Sequence, residues 1–222
     1  MTKKGIDVSE WQGVIDWEAV KASGKVDFAI LRAGIGRYAN QVDKQFYRNY
    51  SECKRLGIPI GAYWYSYATS EAEAKQEAQA CLEVLSGKSF EYPVYYDIEE
   101  KTTLGTGKVD AIITAFCKSL EASKVFAGLY MSRSPLNAYV SASVRNRFAL
   151  WVAEYGSKCN YSGSYGMWQY SSEGKIAGIS GNVDLDECYI DYPSVIKGDE
   201  KKQIKVVIEL EEHRYSGLLT EE

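Results

Sequence analysis

What most limits the fold of this chain is the recurrence of short apolar, β-branched and aromatic runs, roughly 20 to 35 residues apart and separated by segments of helical period. That alternation marks βαβ units, whose strands lie parallel and whose crossovers cover the sheet. Runs of this kind fall near 5–8, 28–33, 60–65, 94–99, 127–131, 150–153, 166–170 and 183–186. Eight such strands predict a barrel.

The early crossovers carry clear helix signals. Phe46, Tyr50 and Cys53 recur at i, i+4 and i+7 ahead of Gly57, which stands where a left-handed C-terminal glycine belongs. Ser70-Glu71-Ala72-Glu73 reads as a capping box, followed by an apolar stripe through Ala74, Ala78, Cys81, Leu82 and Leu85 and a stop at Gly87. Val109, Ile112, Ile113, Phe116 and Leu120 form a further helical face. After Tyr155 the pattern changes. Residues 156–166 are rich in Gly, Ser and Tyr, and the last strands follow too closely for full crossover helices. The expectation is an α/β fold: an irregular TIM-like (β/α) barrel of about eight strands and fewer than eight helices, its last strands partly antiparallel.

A chain of 222 residues that is 45% hydrophobic can bury a large core. The start, Met1 to Gly5, leads straight to Asp7 and Glu10 without an apolar stretch, so the expectation is synthesis in a cytoplasm without a signal peptide and action elsewhere only after release. No apolar run approaches the roughly 20 residues of a spanning helix, which argues against a membrane role. Five scattered cysteines without a C-x-x-C read as free thiols. A net charge of -4 argues against a nucleic-acid partner. The single histidine, His213, lies in a charged tail far from every other candidate group. Histidine-based nucleophile systems and most zinc hydrolases are therefore excluded, and chemistry by carboxylates alone survives.

Carboxylates gather where a parallel barrel keeps its function, at the C-terminal ends of strands. Asp7 falls on the first predicted strand, Asp97 and Glu99 on the fourth, and Asp184 with Asp186 on the last, which neighbours the first in a closed barrel. Asp97 and Glu99 stand at i and i+2, so in an extended strand they face one way with Cα atoms about 7 Å apart. Paired carboxylates on that scale cleave glycosidic bonds. Crowding and partial desolvation raise the pKa of at least one member, as a general acid requires. Glu99, longer by a methylene and nearer the mouth, is the candidate acid. For Asp184 and Asp186 a calcium-binding loop is the alternative, although the D-x-D-x-D-G spacing is missing.

Aromatic residues cluster at the same strand ends: Tyr63, Trp64, Tyr65, Tyr95, Tyr96, Tyr130, Trp151, Trp168 and Tyr170. Flat faces with polar tips suit stacking on sugar rings, and as a set beside the carboxylates they suggest a glycan groove. Gly34-Ile35-Gly36-Arg37-Tyr38-Ala39 matches a dinucleotide fingerprint, but a polar segment follows it and no acidic residue ends a second strand at the right distance.

Taken together, GIDVSEWQG at 5–13, RAGIG at 32–36, GAYWYS at 61–66, YDIEE at 96–100, WQY at 168–170 and NVDLD at 182–186 resemble glycoside hydrolase family 25, the Chalaropsis-type lysozymes or N-acetylmuramidases. The resemblance covers roughly residues 5–192 and implies an irregular barrel that cleaves the β-1,4 bond from N-acetylmuramic acid to N-acetylglucosamine in bacterial peptidoglycan. Carried over by position, Glu99 matches the family's acid/base, Asp97 its D-x-E partner, Asp7 the first-strand aspartate and Asp184 the closing aspartate. Arg32, Tyr63, Tyr130 and Gln169 join the expected substrate-contacting set, with Asp186 ranked behind them. Many members carry His where Trp64 stands, so stacking or packing has to replace the imidazole. The expected partner is peptidoglycan, with no cofactor and no metal, and the setting is a phage or prophage endolysin acting on the cell wall. The competing reading is a non-catalytic glycan-binding module on a hydrolase scaffold.

The barrel is expected to span residues 1–197. Residues 198–222 hold four basic and seven acidic groups and form a charged linker with a β-type tail. Ile204, Val206, Ile208 and Leu210 alternate, and 215–219 is a second candidate strand. A lone hairpin is marginal in water. It either packs on the barrel, pairs with another chain in self-association, or belongs to a longer architecture.

Overall fold

The computed structural model describes residues 2–198 and, beyond them, the backbone of two strands, Ile204–Leu210 and His213–Leu219. Eight strands close into a barrel in chain order: β1 (Lys3–Val8), β2 (Phe28–Ile35), β3 (Ile60–Tyr65), β4 (Val94–Asp97), β5 (Ala127–Ser132), β6 (Ala149–Ala153), β7 (Met167–Gly174) and β8 (Val183–Cys188). Strands β1 to β7 pair in parallel. β8 runs antiparallel to both β7 and β1, which closes the barrel.

Five crossovers carry helix. They are α1 (Trp17–Ala22), α2 (Phe46–Leu56), α3 (Glu71–Leu85), the pair α4 (Lys101–Leu104) and α5 (Val109–Ala122), and the pair α6 (Arg133–Tyr139) and α7 (Ala142–Arg145). With α8 (Tyr192–Lys197) after the last strand, the described residues hold eight α-helical segments where fewer than eight were expected, because two crossovers are split in two. No helix lies between β6, β7 and β8, where the sequence leaves too little room. Among the described residues no helix is long and apolar enough to cross a membrane.

Local signals act largely as read. Gly57 caps α2 at φ 65° and ψ 34°, a left-handed geometry that a glycine adopts without steric cost. The Ser70 hydroxyl accepts the Glu73 N–H at 3.3 Å, but the Glu73 carboxylate reaches back to Thr69, taking its N–H at 2.7 Å and its hydroxyl at 2.8 Å. The reciprocal half of the box thus closes one residue earlier than the sequence suggests.

Strand alternation divides the core into two layers. Tyr96 points outward and stacks on Phe116 of α5, ring centroids 3.7 Å apart, within the large cluster between sheet and helices. Tyr95 points inward and joins Phe28, Ile30, Tyr92, Tyr130, Trp151, Met167, Cys188 and Tyr192 inside the barrel. Gly128 makes room for this filling, since a side chain there would meet the Tyr95 ring at 2.6 Å or less. The two tail strands pair in antiparallel register from Leu210 opposite His213 to Ile204 opposite Leu219. The second strand begins two residues earlier than expected, and the charged segment 199–203 lies outside the described residues.

Candidate active site

Above the aromatic filling, the inward positions of successive strands turn polar. Asp7 (β1), Arg32 (β2), Tyr63 and Tyr65 (β3), Asp97 (β4), Tyr130 (β5), Trp151 (β6), Gln169 (β7) and Asp184 (β8), with Glu99 and Tyr155 just past β4 and β6, line a cavity of about 240 Å³ at the mouth. A larger hollow of about 340 Å³, lined by Lys124, Phe126, Arg147 and neighbours, gathers no comparable set of acids. β4 itself ends at Asp97, but the Ile98 N–H still reaches the Tyr130 carbonyl at 3.3 Å. The chain therefore stays extended one step further, Ile98 is buried, and Glu99 returns to the cavity beside Asp97.

Eight of the nine residues expected at the site from sequence line this cavity: Asp7, Arg32, Tyr63, Asp97, Glu99, Tyr130, Gln169 and Asp184. Asp186, grouped in the sequence with substrate contacts, does not line it and is fully buried. The reason is strand direction. In the antiparallel β8 the chain runs down from the mouth, so Asp184 pairs with Asp7 at the rim while Asp186 pairs with Gly5, two residues deeper. Trp64 is likewise fully buried, pointing away from the cavity and donating its indole N–H to the Gly36 carbonyl at 2.8 Å. Trp64 therefore serves packing in the core between sheet and helices.

Two residues escaped sequence reasoning. Tyr155 follows β6 at the mouth and donates to Gln169 Oε1 at 3.3 Å; its place just beyond a strand end was the available signal. Asp43, which is buried, accepts from Arg32 Nε at 2.7 Å while Glu10 accepts from Arg32 Nη2 at 2.9 Å. Nothing local marks Asp43, because its partner is brought to it by the fold.

Burial dominates the electrostatics. Asp97 is held well above the usual carboxylate range by burial and then by the Glu99 charge, with Arg32 opposing. One of its oxygens, Oδ1, is buried without a hydrogen-bond partner. Glu99 is raised by burial, with Tyr130 opposing and Glu100 adding to the rise. Asp184 is pushed up to about 6 by burial and by Glu99. Asp7 is raised well above its ordinary value by burial, then by Asp186 and Asp184, against a hydrogen bond from Gln169. So many buried acids cannot all ionise, and at neutral pH some of the group retain protons. Glu100 stands outside the cavity lining and accepts the Tyr65 hydroxyl at 2.8 Å, fixing one aromatic wall. Among the described residues no group of three or more His, Cys, Asp or Glu is arranged to hold a metal ion.

The model of glycosyl hydrolases family 25 matches residues 6–179. The chain is 32% identical over 186 residues to an autolytic lysozyme of Clostridium acetobutylicum, covering 83% of this chain and 55% of that protein. It is 29% identical over 212 residues to lysozyme M1 of Streptomyces globisporus, covering 83% and 67%. This chain thus spans little more than half the length of the clostridial relative. Among solved structures, the CTP1L endolysin superposes with a TM-score of 0.78 at 27% identity, over 90% of this chain and 71% of that one. The modular autolysin LytC of Streptococcus pneumoniae, solved with a synthetic peptidoglycan ligand, superposes at 0.74 and 30% identity, over 85% and 47%. A barrel whose mouth gathers carboxylates under aromatic walls, and a family match over most of that barrel, lead to one assignment: the chain belongs to glycosyl hydrolases family 25.

Proposed function

We propose that this glycoside hydrolase is an N-acetylmuramidase, hydrolysing the β-1,4 bond between N-acetylmuramic acid and N-acetylglucosamine in bacterial peptidoglycan. The observation that carries the reading is the Asp97 and Glu99 pair, both facing one aromatic-walled cavity and both shifted toward the protonated form. The lysozyme relatives and the autolysin solved with a peptidoglycan ligand support the substrate class. Exposed Trp11, Tyr38 and Tyr67 follow β1, β2 and β3 on the mouth side and offer further flat faces to a glycan.

The proposed reaction is substrate-assisted. Glu99 gives its proton to the glycosidic oxygen as the acetamido oxygen of the muramic acid attacks the anomeric carbon and the bond breaks. Arrival of the acetamido N–H at Asp97 favours its ionised form and leaves the pair's proton on Glu99. This reverses the order without substrate, in which burial and the Glu99 charge hold Asp97 up. Asp97 then stabilises the positive charge that develops on the acetamido group. Its unpartnered buried oxygen is suited to that bond. Glu99, now a carboxylate, takes a proton from the water that opens the cyclic intermediate, and the anomeric configuration is retained. Burial and the neighbouring Glu100 charge favour protonation of Glu99. Incubation with purified peptidoglycan and NMR of fresh product tests the whole scheme: turnover with retained configuration is expected, inverted product overturns the assisted route, and binding without turnover leaves the glycan-binding module instead.

The setting is proposed to be that of a phage or prophage endolysin acting on the bacterial cell wall, as the likeness to the CTP1L endolysin supports. The tail is proposed to self-associate through edge pairing of Ile204–Leu210, motivated by an alternating strand in a two-stranded sheet. Light scattering of the full chain against one ending at Ile196 checks this; identical monomer masses count against it.

A further inference from the structure

The cavity at the mouth, about 240 Å³, is smaller than the roughly 300–1,000 Å³ of pockets that enclose a whole drug-sized ligand. A glycan strand therefore leaves it over the rim, and the rim decides what the strand meets next. On the β1 side the rim carries Trp11. Its side chain is 81% exposed, while the other four tryptophans, Trp17, Trp64, Trp151 and Trp168, are all buried. Val14, three residues on, is exposed as well.

An isolated apolar residue on a surface needs no explanation. What sets Trp11 apart is how firmly the turn that carries it is held. The turn is a single 3₁₀ coil, Glu10–Gln12, flanked by Ser9 and Gly13. The Ser9 hydroxyl accepts the Trp11 N–H at 3.3 Å, Gln12 Oε1 accepts the Ser9 N–H at 2.9 Å, and the Gly13 N–H donates to the Glu10 carbonyl at 3.0 Å. Glu10 then ties the turn to its surroundings. Its N–H donates to the buried Asp43 at 2.8 Å, and its carboxylate takes Arg32 Nη2 at 2.9 Å and Lys44 Nζ at 3.1 Å. Arg32 itself lines the cavity. The residue next to Trp11 is thus bonded directly to a cavity wall. Folding gains little from an indole left in water, whereas a ligand that covers it has only two side-chain torsions left to order.

We propose that Trp11 is a binding platform for a sugar of the glycan strand beyond the pair being cleaved, and that it makes the protein favour long strands over short fragments. The inference rests on the proposed muramidase activity and extends it along the strand. The C–H groups on a pyranose face carry partial positive charge and the indole face is negative, so contact removes apolar surface from water and adds electrostatic attraction. Continuity with the cavity through Glu10 and Arg32 names the glycan strand, rather than a second copy of this chain, as the occupant.

Because Trp11 is the one exposed tryptophan, its emission is readable apart from the rest. In full-length Glu99→Gln protein, tryptophan emission and its quenching by iodide are followed as peptide-free peptidoglycan strands, either long or cut to the tetrasaccharide, are added. Long strands are expected to move the emission to shorter wavelength and shield it from iodide, and the tetrasaccharide to do so far less. Both effects should vanish when Trp11→Ala is added. With Glu99 restored, Trp11→Ala is expected to lower kcat/KM about tenfold on long strands, the scale of one lost aromatic contact, and much less on the tetrasaccharide. Trp11→Tyr should recover most of that loss, and the melting temperature should stay unchanged in both variants. The proposal is overturned by an emission that long strands leave unshielded, by equal effects of Trp11→Ala on the two substrates, or by shielding that grows with protein concentration in the absence of glycan. Absence of turnover in the unaltered protein removes the muramidase reading instead, while shielding on binding still reads the platform.

Discussion

The two ends of the barrel lumen are built by the same strands from opposite chemistry. On β4 Tyr95 fills the lower end and Asp97 faces the cavity; on β2 Phe28 and Ile30 are followed by Arg32; on β7 Met167 is followed by Gln169. A step of two residues, one repeat of the pleat, changes the lumen from packed aromatic to crowded acid. The lower end stabilises. Burying an aromatic ring contributes a few kcal/mol, and pairs such as Phe28 and Tyr92, with ring centroids 4.4 Å apart, interlock there. The upper end costs stability, because buried carboxyls are held away from water and near one another. The contrast teaches that the site is strained electrostatically and that the filling below supplies the rigidity to hold it.

Substitutions at the two ends should therefore separate activity from stability. Asp97→Asn is expected to lower turnover of purified peptidoglycan about 10²- to 10³-fold, the scale of losing one charge-stabilising group, without lowering the melting temperature. Phe28→Ala is expected to cost about 3–5 kcal/mol in urea unfolding, while activity per folded molecule is kept. If Phe28→Ala instead lowers specific activity as much as Asp97→Asn does, the division between the ends fails.

Asp184→Asn sharpens the comparison through pH. The folded pKa of about 6 lies above the ordinary 3.8, so the folded state keeps its proton longer than the unfolded chain. Stability contributed at low pH is lost as pH rises through that window. Asparagine has no such loss, so the variant should be more stable than the parent at pH 7 by about 1–2 kcal/mol after allowance for solvent screening, and no more stable below about pH 4. Chemical denaturation at both pH values checks this.

Much of this was legible in the sequence because it is local. Apolar runs named the strands, and the i, i+2 spacing placed Asp97 and Glu99 on one wall even though regular pairing stops at Asp97. What stayed hidden depends on relations between strands. The depth of Asp186 follows from the reversed direction of β8. The Arg32 clamp by Asp43 and Glu10 joins segments that only the closed barrel brings together. No spacing along the chain encodes those contacts.

The most direct test of the account is release of reducing ends from purified peptidoglycan by Glu99→Gln, with its fold verified by circular dichroism and melting. The account predicts a loss of about 10²- to 10⁴-fold, the range for removing a general acid, with the fold unchanged. Activity equal to that of the unaltered protein would contradict it.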